Sequence, residues 1–369
     1  MLKRAAIAVI VVLASAIGVL ADVQTECDSE DGSPDQAIIA CSQVIKGDPR
    51  AAWAYFKRGN AYQVKGELDR AIADYDGAIA LDPKLAIAYN NRGNAYQAKR
   101  DHDRAIADFD KTIALVDPKD AAAGAAHFNR GNSYQAKGEL DRAIADFDKA
   151  IAVDPKDVAF YYDRGNANRL KGDLDRAIAD YDKAIALNPK DAAPYVSRGL
   201  AYYLKGELDR TIADCGKALE LEPKNSAAWL MLGAARYDAG DFKGASADLL
   251  RSIEIDEDAY AMLYRFLAQS RAGEAAETEL KANAGRLKTE EWPFAVTELY
   301  LGNRSPAATL AAAATPEQKC EAQFYLGQWH IVKGSRADAE TALRAAVDTC
   351  PKSSTEFRAA IAELKRLKP

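Results

Sequence analysis

Apolar residues in this chain recur three and four positions apart within short segments, and the segments come in pairs. This spacing places the apolar side chains on one face of an α-helix. The pairs return every 34 residues in most of the chain, marked by Gly59, Gly93, Gly131, Gly165, Gly199 and Gly233, which are spaced 34, 38, 34, 34 and 34 apart. A helical pair this short cannot bury its own apolar face, so neighbouring copies must stack. The pattern predicts an all-α fold of stacked helix-turn-helix units.

Six such units fit the chain: 52–85, 86–123, 124–157, 158–191, 192–225 and 226–259. In the first unit, positions 4, 8, 11, 20, 24, 27 and 32 hold Tyr55, Gly59, Tyr62, Ala71, Tyr75, Ala78 and Pro83. This order resembles the tetratricopeptide repeat (TPR). The resemblance implies a right-handed superhelical α-solenoid whose concave face is lined by the first helix of each pair.

The segments outside the six units have their own assignments. Residues 22–51 are expected to form a truncated repeat, residues 260–319 a divergent helical segment, and residues 320–369 a terminal repeat with a C-terminal capping helix over about 354–367. Within the divergent segment, the turn around Gly273 separates two helices, and Ser305-Pro306 begins a short one.

The N-terminus reads as a signal peptide. Lys3 and Arg4 precede an apolar run that continues to Leu20, and small residues lie before a cleavage point after Ala21. We therefore expect residues 1–21 to be removed and the mature chain to be periplasmic or secreted. The alternative is an uncleaved leader that anchors the chain in the membrane. Basic residues stay on the cytoplasmic side in both cases, so the rest of the chain lies outside the cytoplasm.

Cysteine spacing agrees with an oxidising compartment. Cys27 and Cys41 hold positions 10 and 24 of the truncated repeat, while Cys320 and Cys350 hold positions 1 and 31 of the terminal one. Facing sites on antiparallel helices have similar position sums, so we predict the disulfides Cys27–Cys41 and Cys320–Cys350. Cys215 is expected to be a buried, unpaired thiol.

Two charged positions recur where the repeat pattern allows them to meet. Position 7 is arginine in five units and position 23 is aspartate in the same five, and these positions face each other across an antiparallel pair. The sequence predicts five partly buried Arg–Asp bridges that fix helix register. Thr211 at position 20 and Arg236 at position 11 depart from the pattern and are expected to weaken their units.

A binding surface is predicted along the first helix of each pair, at positions 2, 5, 9 and 12. Amide side chains there can form hydrogen bonds with the backbone of an extended peptide, and aromatic rings between them add apolar contact. Units five and six turn apolar, which favours a partner helix or a second subunit. The candidate residues are Trp53, Phe56, Asn60, Gln63, Asn90, Asn94, Gln97, Phe128, Asn132, Gln135, Tyr162, Asn166, Arg169, Tyr203 and Tyr237. Asparagine at position 9 is also the common choice of the repeat, so packing is the alternative explanation.

Composition and motifs argue against other classes of function. The net charge of −6 disfavours nucleic-acid binding, which needs a basic face. His102, His127 and His330 lie in different units, no pair has metal-ligand spacing, and no phosphate loop or nucleophile elbow occurs. We expect no catalytic residues, no cofactor and no metal. An enzyme with its site in residues 260–319 is a weaker hypothesis, because that segment contains neither His nor Cys.

A closer resemblance covers roughly residues 190–369. The order of repeats, then Glu-Trp, then the block Tyr300-Leu301-Gly302-Asn303, then Phe-Tyr-Leu-Gly in a terminal repeat is similar to the NlpI type of periplasmic TPR lipoprotein. That resemblance implies an adaptor that joins cell-wall hydrolases to partner proteins, and a homodimer. This chain lacks a lipid-attachment cysteine, so contact with a membrane would come only through an uncleaved leader.

The sequence thus predicts a periplasmic TPR scaffold whose partners are proteins or extended peptide segments, such as envelope or cell-wall enzymes. The alternative is a glycan-binding scaffold in exopolysaccharide assembly or export.

Overall fold

The computed structural model describes residues 24–27, 32–287, 291–352 and 354–368, which contain helices and turns but no strand. After a helical turn at residues 24–27, the helices are α1 (Pro34–Gly47), α2 (Ala52–Val64), α3 (Leu68–Leu81), α4 (Ala86–Ala98), α5 (His102–Leu115), α6 (Ala121–Ala136), α7 (Leu140–Val153), α8 (Val158–Lys171), α9 (Leu174–Leu187), α10 (Ala192–Lys205), α11 (Leu208–Leu221), α12 (Ser226–Ala239), α13 (Phe242–Ile255), α14 (Ala259–Ala272), α15 (Glu277–Ala284), α16 (Phe294–Tyr300), α17 (Pro306–Ala312), α18 (Pro316–Val332), α19 (Arg336–Thr349) and α20 (Thr355–Arg366).

Helix contacts divide the chain into two compact units, residues 1–160 and 161–369, with the division inside α8. In the first unit, α2 packs on α3, α4 on α5 and α6 on α7, and successive pairs stack. In the second unit, the pairs α10–α11, α12–α13 and α18–α19 do the same. Two-helix repeats stacked on their neighbours confirm the predicted all-α solenoid. Among the described helices, none has the length and apolarity needed to cross a membrane.

Each helical pair turns through a residue in the left-handed conformation. Gly66, Gly138, Gly206 and Gly240 have φ values of 75, 76, 81 and 90° at this point. Glycine has no Cβ, so it adopts this conformation without steric cost. Arg100 holds the same place in the second repeat with φ of 61°. An L side chain there costs on the order of 1 kcal/mol.

The first and second helices of a repeat approach closely at position 8. A Cβ on Gly93 would lie 2.7 Å from the ring of Phe109, closer than real contacts allow. In the fifth repeat the aromatic partner is replaced by Cys215, and a Cβ on Gly199 would meet its nearest atoms at 3.5 Å. Thr211 occupies this roomier site and donates a hydrogen bond to the carbonyl of Gly199 over 3.1 Å. The larger Thr211 is therefore accommodated without a clash, and the expected weakening of this repeat stays a prediction.

The five predicted Arg–Asp bridges are confirmed. Each guanidinium donates two or more hydrogen bonds to one carboxylate, and each aspartate is buried. The closest N–O distances are 2.7 Å for Arg58–Asp74, 2.6 Å for Arg92–Asp108, 2.7 Å for Arg130–Asp146, 2.6 Å for Arg164–Asp180 and 2.6 Å for Arg198–Asp214. A bidentate pair fixes the relative rotation of two helices as well as their distance.

The same arginines also tie one repeat to the next. In three repeats the guanidinium reaches an exposed carboxylate on the second helix of the preceding repeat, in the pairs Arg92–Asp76, Arg130–Asp110 and Arg198–Asp182. Hydrogen bonding to Asp108 raises the pKa of Arg92 further above its already high value. One side chain thus contacts three helices.

The sixth repeat achieves the pairing differently. Position 7 is the buried Leu232, and the buried carboxylate of Asp248 is instead 2.7 Å from the guanidinium of Arg236. Burial raises the pKa of Asp248 to about 6, and Arg236 opposes that rise. Arg236 was expected only to weaken this repeat through loss of an aromatic contact. The structure corrects that view, because Arg236 supplies the cation that position 7 no longer provides.

The divergent segment is helical, as predicted. α14 and α15 form a pair that turns at Gly273, and α17 begins after the N-cap residue Ser305. α18 begins at Pro316, four residues before the predicted start of the terminal repeat, because Thr315 and Gln318 form a capping box there. The final helix, α20, begins after Ser354 as expected.

The glycine contacts predict a clear difference between two equivalent substitutions. Gly93→Ala forces a methyl group against Phe109 and should lower stability by about 1–3 kcal/mol, the usual cost of overpacking. Gly199→Ala places the same methyl group in ordinary contact. Because alanine favours the helix by about 1 kcal/mol, this control should leave the melting temperature unchanged or raised. Thermal melts of both variants measure the difference, and equal losses would contradict the argument.

Candidate interaction surface

The first helices of the repeats in residues 1–160 carry the predicted binding residues at matching positions of successive repeats. We call this set the polar face. All of its members are partly exposed: Trp53, Phe56, Asn60, Gln63, Asn90, Asn94, Gln97, Phe128, Asn132 and Gln135. The structure therefore brings the predicted residues of α2, α4 and α6 to a surface that solvent can reach.

Hydrogen bonds connect the amides of this face to the core and to one another. The Oδ1 atom of Asn60 accepts from the hydroxyl of Tyr75 over 2.8 Å and from Asn91 in the next repeat over 2.9 Å. The same hydroxyl lies 2.7 Å from Oε1 of Gln63. Part of the asparagine ladder is thus used for packing between repeats, which fixes the orientation of the remaining amide groups.

A second link joins the following repeats. Asn129 donates to Oδ1 of Asn94 over 3.0 Å, and Gln97 donates to the backbone carbonyl of Asn129 over 3.2 Å. The sequence argument did not include Asn91 and Asn129, which lie at position 6. Their appearance at the same position of two neighbouring repeats was the signal that could have found them.

Two amides at the end of α6 differ from the rest. The side chain of Asn132 makes no hydrogen bond with any described residue, and the buried Oε1 atom of Gln135 has no partner either. These residues are one helical turn apart, so their side chains lie on the same side of α6. Buried polar atoms are normally hydrogen-bonded, so Oε1 of Gln135 can still accept a hydrogen bond, and the partly exposed amide of Asn132 beside it can both donate and accept.

Aromatic rings on the polar face pack against buried aromatic rings of the core. The ring of Phe128 lies 4.9 Å from Phe160 and 5.8 Å from Phe147, and Phe56 lies 6.0 Å from Tyr75. Each is half-buried, so it keeps an apolar surface in a fixed position.

In residues 161–369, the predicted residues separate into two groups. Tyr162, Asn166 and Arg169 on α8 are partly exposed, and Asn166 accepts a hydrogen bond from the hydroxyl of Tyr181 over 2.8 Å. Tyr203 and Tyr237, by contrast, are 1 and 0% exposed. The prediction that these two tyrosines line an open groove is wrong.

The chain's own C-terminal helix accounts for this burial. α20 packs against α10 and α12, the first helices of repeats five and six. Arg366 donates to the backbone carbonyls of Tyr237 and Asp238, and its guanidinium also lies 2.6 Å from the buried carboxylate of Glu363. Glu363 is paired in addition with Arg271, over 3.2 Å. The apolar surface that suggested a partner helix is covered by a helix of the same chain.

Beneath α20, a buried carboxylate depends on one of these tyrosines. The hydroxyl of Tyr203 donates to Oδ2 of Asp238 over 2.7 Å. Burial raises the pKa of Asp238 to about 6, and the bond from Tyr203 works against this rise. The hydroxyl of Tyr237 donates to Gln328 on α18. Tyr237 thus contacts the C-terminal part of the chain directly, whereas Tyr203 bonds Asp238 on α12, whose backbone carbonyl accepts from Arg366 of α20.

Comparison with known sequences identifies the repeat. Sequence models described as tetratricopeptide repeat match residues 84–156, 128–192 and 172–215, and one described as TPR repeat matches residues 64–99. MamA, whose crystal structure is known, has 30% sequence identity to this chain. The match covers 47% of this chain and 93% of MamA, with a TM-score of 0.43. The chain belongs to the TPR family.

Other solved structures share the fold. The APC/C hetero-tetramer Cut9-Hcn1 has a TM-score of 0.51 at 18% identity, over 68% of this TPR protein and 52% of the matched chain. YrrB, described as a TPR protein with an unusual peptide-binding site, is 23% identical over 51% of this chain and 95% of its own, with a TM-score of 0.44. The resemblance to the NlpI type stays a prediction.

The cysteines of this TPR protein pair as the sequence predicts. Cys27 is bonded to Cys41 and Cys320 to Cys350, each with Cα atoms 4.8 Å apart. Cys215 is free and buried, and burial raises its pKa to about 12, so the thiol stays protonated at neutral pH.

The histidines are placed separately. His127 is buried, and its Nδ1 lies 3.0 Å from Asp146, the carboxylate that also pairs with Arg130. In the described part of the chain, no three or more His, Cys, Asp or Glu side chains come together as metal ligands would.

The cleavage expected after Ala21 lies outside the described residues.

Asp238 gives this TPR protein a predictable response to pH. Its folded-state pKa of about 6 exceeds the value of about 3.9 expected in the unfolded chain, so the folded state binds the proton more tightly. Stability linked to this group is therefore present below about pH 4 and is lost as pH rises to about 6. Asp238→Asn keeps an acceptor for Tyr203 and removes the buried charge. The variant should be more stable than the parent by on the order of 1–3 kcal/mol at about pH 8 and equal to it at about pH 4.

Melting temperatures at the two pH values measure this difference. Asp209→Asn, at an exposed position on α11, is the matched control and should show no gap at either pH. A gap for Asp238→Asn that is the same at both pH values would contradict the assignment.

Proposed function

We propose that this TPR protein is a scaffold that works outside the cytoplasm and binds an extended segment of a partner protein on its polar face. Stacked repeats create extended binding surfaces, and a TPR array is a scaffold for protein interaction. The proposal adds a location, a surface and a form of ligand to that general role.

The observation that carries the proposal is the unused amide pair of Asn132 and Gln135. Elsewhere on the face, amides are bonded between repeats, as in the Asn60–Asn91 and Asn94–Asn129 links. Those bonds hold the surface rigid, so little side-chain freedom is lost on binding. A peptide backbone presents one donor and one acceptor per residue, which matches side chains that both donate and accept.

The neighbouring ring of Phe128 supports the same ligand. Its contacts with Phe147 and Phe160 fix it beside the amides, where it can contact an apolar side chain of the segment. An extended peptide offers backbone groups and side chains alternately, so it meets both kinds of surface.

Two features support a location outside the cytoplasm. The N-terminal sequence has the charged and apolar regions of a signal peptide. Two disulfides close the repeats at both ends of the array, and such bonds persist in oxidising compartments. A cell-wall enzyme as the partner, and a homodimer, rest on the NlpI-type resemblance alone.

Binding can be tested with peptides selected against the full chain from a display library of linear segments. Fluorescence anisotropy should show affinity falling by about tenfold in Asn132→Ala, the value of one lost hydrogen bond of about 1.4 kcal/mol. The melting temperature should not change, because Asn132 makes no hydrogen bond within the described residues. Asn94→Ala should in addition lower the melting temperature, since it breaks the link to Asn129.

Lys149→Ala, on the exposed side of α7, is the control and should bind as the parent does. Unchanged affinity in both asparagine variants would refute the polar face as the binding surface. Binding of glycan strands, with no selected peptide recovered, would replace this proposal with the glycan-binding alternative.

The location has its own test. Residues 1–30 can be fused to a reporter enzyme that becomes active only after export and disulfide formation. We expect an active reporter in a bacterial host, and mass spectrometry of the full chain should find Asp22 at the mature N-terminus. An exported chain that retains Met1 would indicate an anchor instead of a cleaved leader. An inactive reporter would overturn the proposed location.

A further inference from the structure

A cavity of about 340 Å³ lies within the second unit. Three tyrosines, Tyr203, Tyr260 and Tyr264, form part of its lining, together with the apolar side chains of Leu230 and Met231. Its size falls within the range of small-ligand sites, about 300–1,000 Å³. The elements around it are α10, α12, α14, α18 and the start of α20.

Two carboxylates complete the lining, and no described lysine or arginine is among the residues that form it. Glu321 accepts hydrogen bonds from the hydroxyl of Tyr260 over 2.8 Å and from Nε1 of Trp292 over 2.7 Å. Both bonds fall on Oε2, so Oε1 receives none from the described residues. Neutral donors orient this carboxylate without neutralising it.

The second carboxylate, Glu356, is near the N-terminus of α20. Burial raises its pKa, and the nearby negative charge of Glu321 raises it further. Its side chain accepts a hydrogen bond from the hydroxyl of Thr355 over 2.9 Å. Glu356 is partly buried, and none of the described lining residues is a cation that could compensate its charge.

A buried tyrosine of α18 packs against one of the tyrosines that line the cavity. The hydroxyl of Tyr325 is fully buried and has no hydrogen-bond partner among the described residues. Its ring is 6.3 Å from that of Tyr264, and burial raises its pKa, with contributions from Tyr264, Glu356 and Glu321. Tyr325 is not part of the lining, and its buried ring packs behind Tyr264, which is.

We propose that this cavity binds an alkylammonium group. Carboxylates attract the positive charge, tyrosine faces stabilise it through cation–π contact, and Leu230 and Met231 offer apolar surface to an aliphatic stem. An anion would be repelled by Glu321 and Glu356, and a neutral alkyl group would leave both carboxylates without a cation. A lysine side chain and a small free amine share this chemistry. The inference does not depend on the polar face.

Isothermal titration of the full chain with n-pentylammonium chloride at about pH 8 tests the proposal. We expect one saturable site, and no binding of 1-pentanol, which has the same shape without the charge. Glu356→Gln should weaken binding by roughly tenfold or more, since a charge-assisted contact is worth about 1.5–3 kcal/mol. Ala234→Leu places a larger side chain at the lining of the cavity and should abolish binding.

Two variants at exposed positions on helices that line the cavity serve as controls. Glu317→Gln removes a negative charge from α18, and Ala227→Leu adds the same bulk to α12. Both should bind as the parent does, and melting temperatures confirm that every variant is folded. Equal binding of pentanol, unchanged affinity in folded Glu356→Gln and Ala234→Leu, or no saturable binding at all would overturn the proposal.

The source of the amine is decided by a capped tripeptide, Gly-Lys-Gly, and its Nε-acetylated form. Binding of the first and not the second assigns the cavity to a lysine of a partner protein. Binding of pentylammonium with neither peptide supports the ammonium site and assigns it to a free amine.

Discussion

The Arg–Asp bridge inside each of five repeats is the contact on which the array depends. A buried carboxylate is costly unless a cation and hydrogen bonds compensate it, and the arginine at position 7 provides both. In three repeats the same guanidinium extends to the preceding repeat, so one side chain sets the helix pair and its stacking partner. Gly93 lets the helices approach closely enough for this geometry. The amide face then inherits its regular spacing from the stacking.

The two units use similar helices for different purposes. In residues 1–160 the first helices keep a solvent-accessible amide surface. In residues 161–369, the corresponding surface of repeats five and six is covered by α20. That coverage follows from composition, because an apolar surface of this kind is stabilised by burial, while an amide surface remains hydrated. The same covering helix brings Glu356 to the tyrosine-lined cavity.

Local periodicity was enough to predict the repeats, the five bridges and the pairing of the cysteines, because these contacts join residues at fixed distances within a unit. Tyr203 and Tyr237 were misplaced because their burial depends on a helix more than a hundred residues further along the chain, and no repeat pattern encodes that contact. Arg236 was misjudged because a cation can reach Asp248 from position 11 as well as from position 7. Asn91 and Asn129 were missed because they lie at position 6, which is not among positions 2, 5, 9 and 12, where ligand contacts are expected.

The junction of repeats five and six is held by different forces from the earlier junctions. Arg92, Arg130 and Arg198 each reach an aspartate of the preceding repeat. Repeat five has Gly216 where the earlier repeats have that aspartate, and repeat six has Leu232 where they have arginine. Leu232 instead belongs to an apolar cluster with Cys215, Ala218 and Leu219 of repeat five. Because dissolved salt screens exposed charge pairs and not apolar packing, ionic strength acts on the earlier junctions more than on this one.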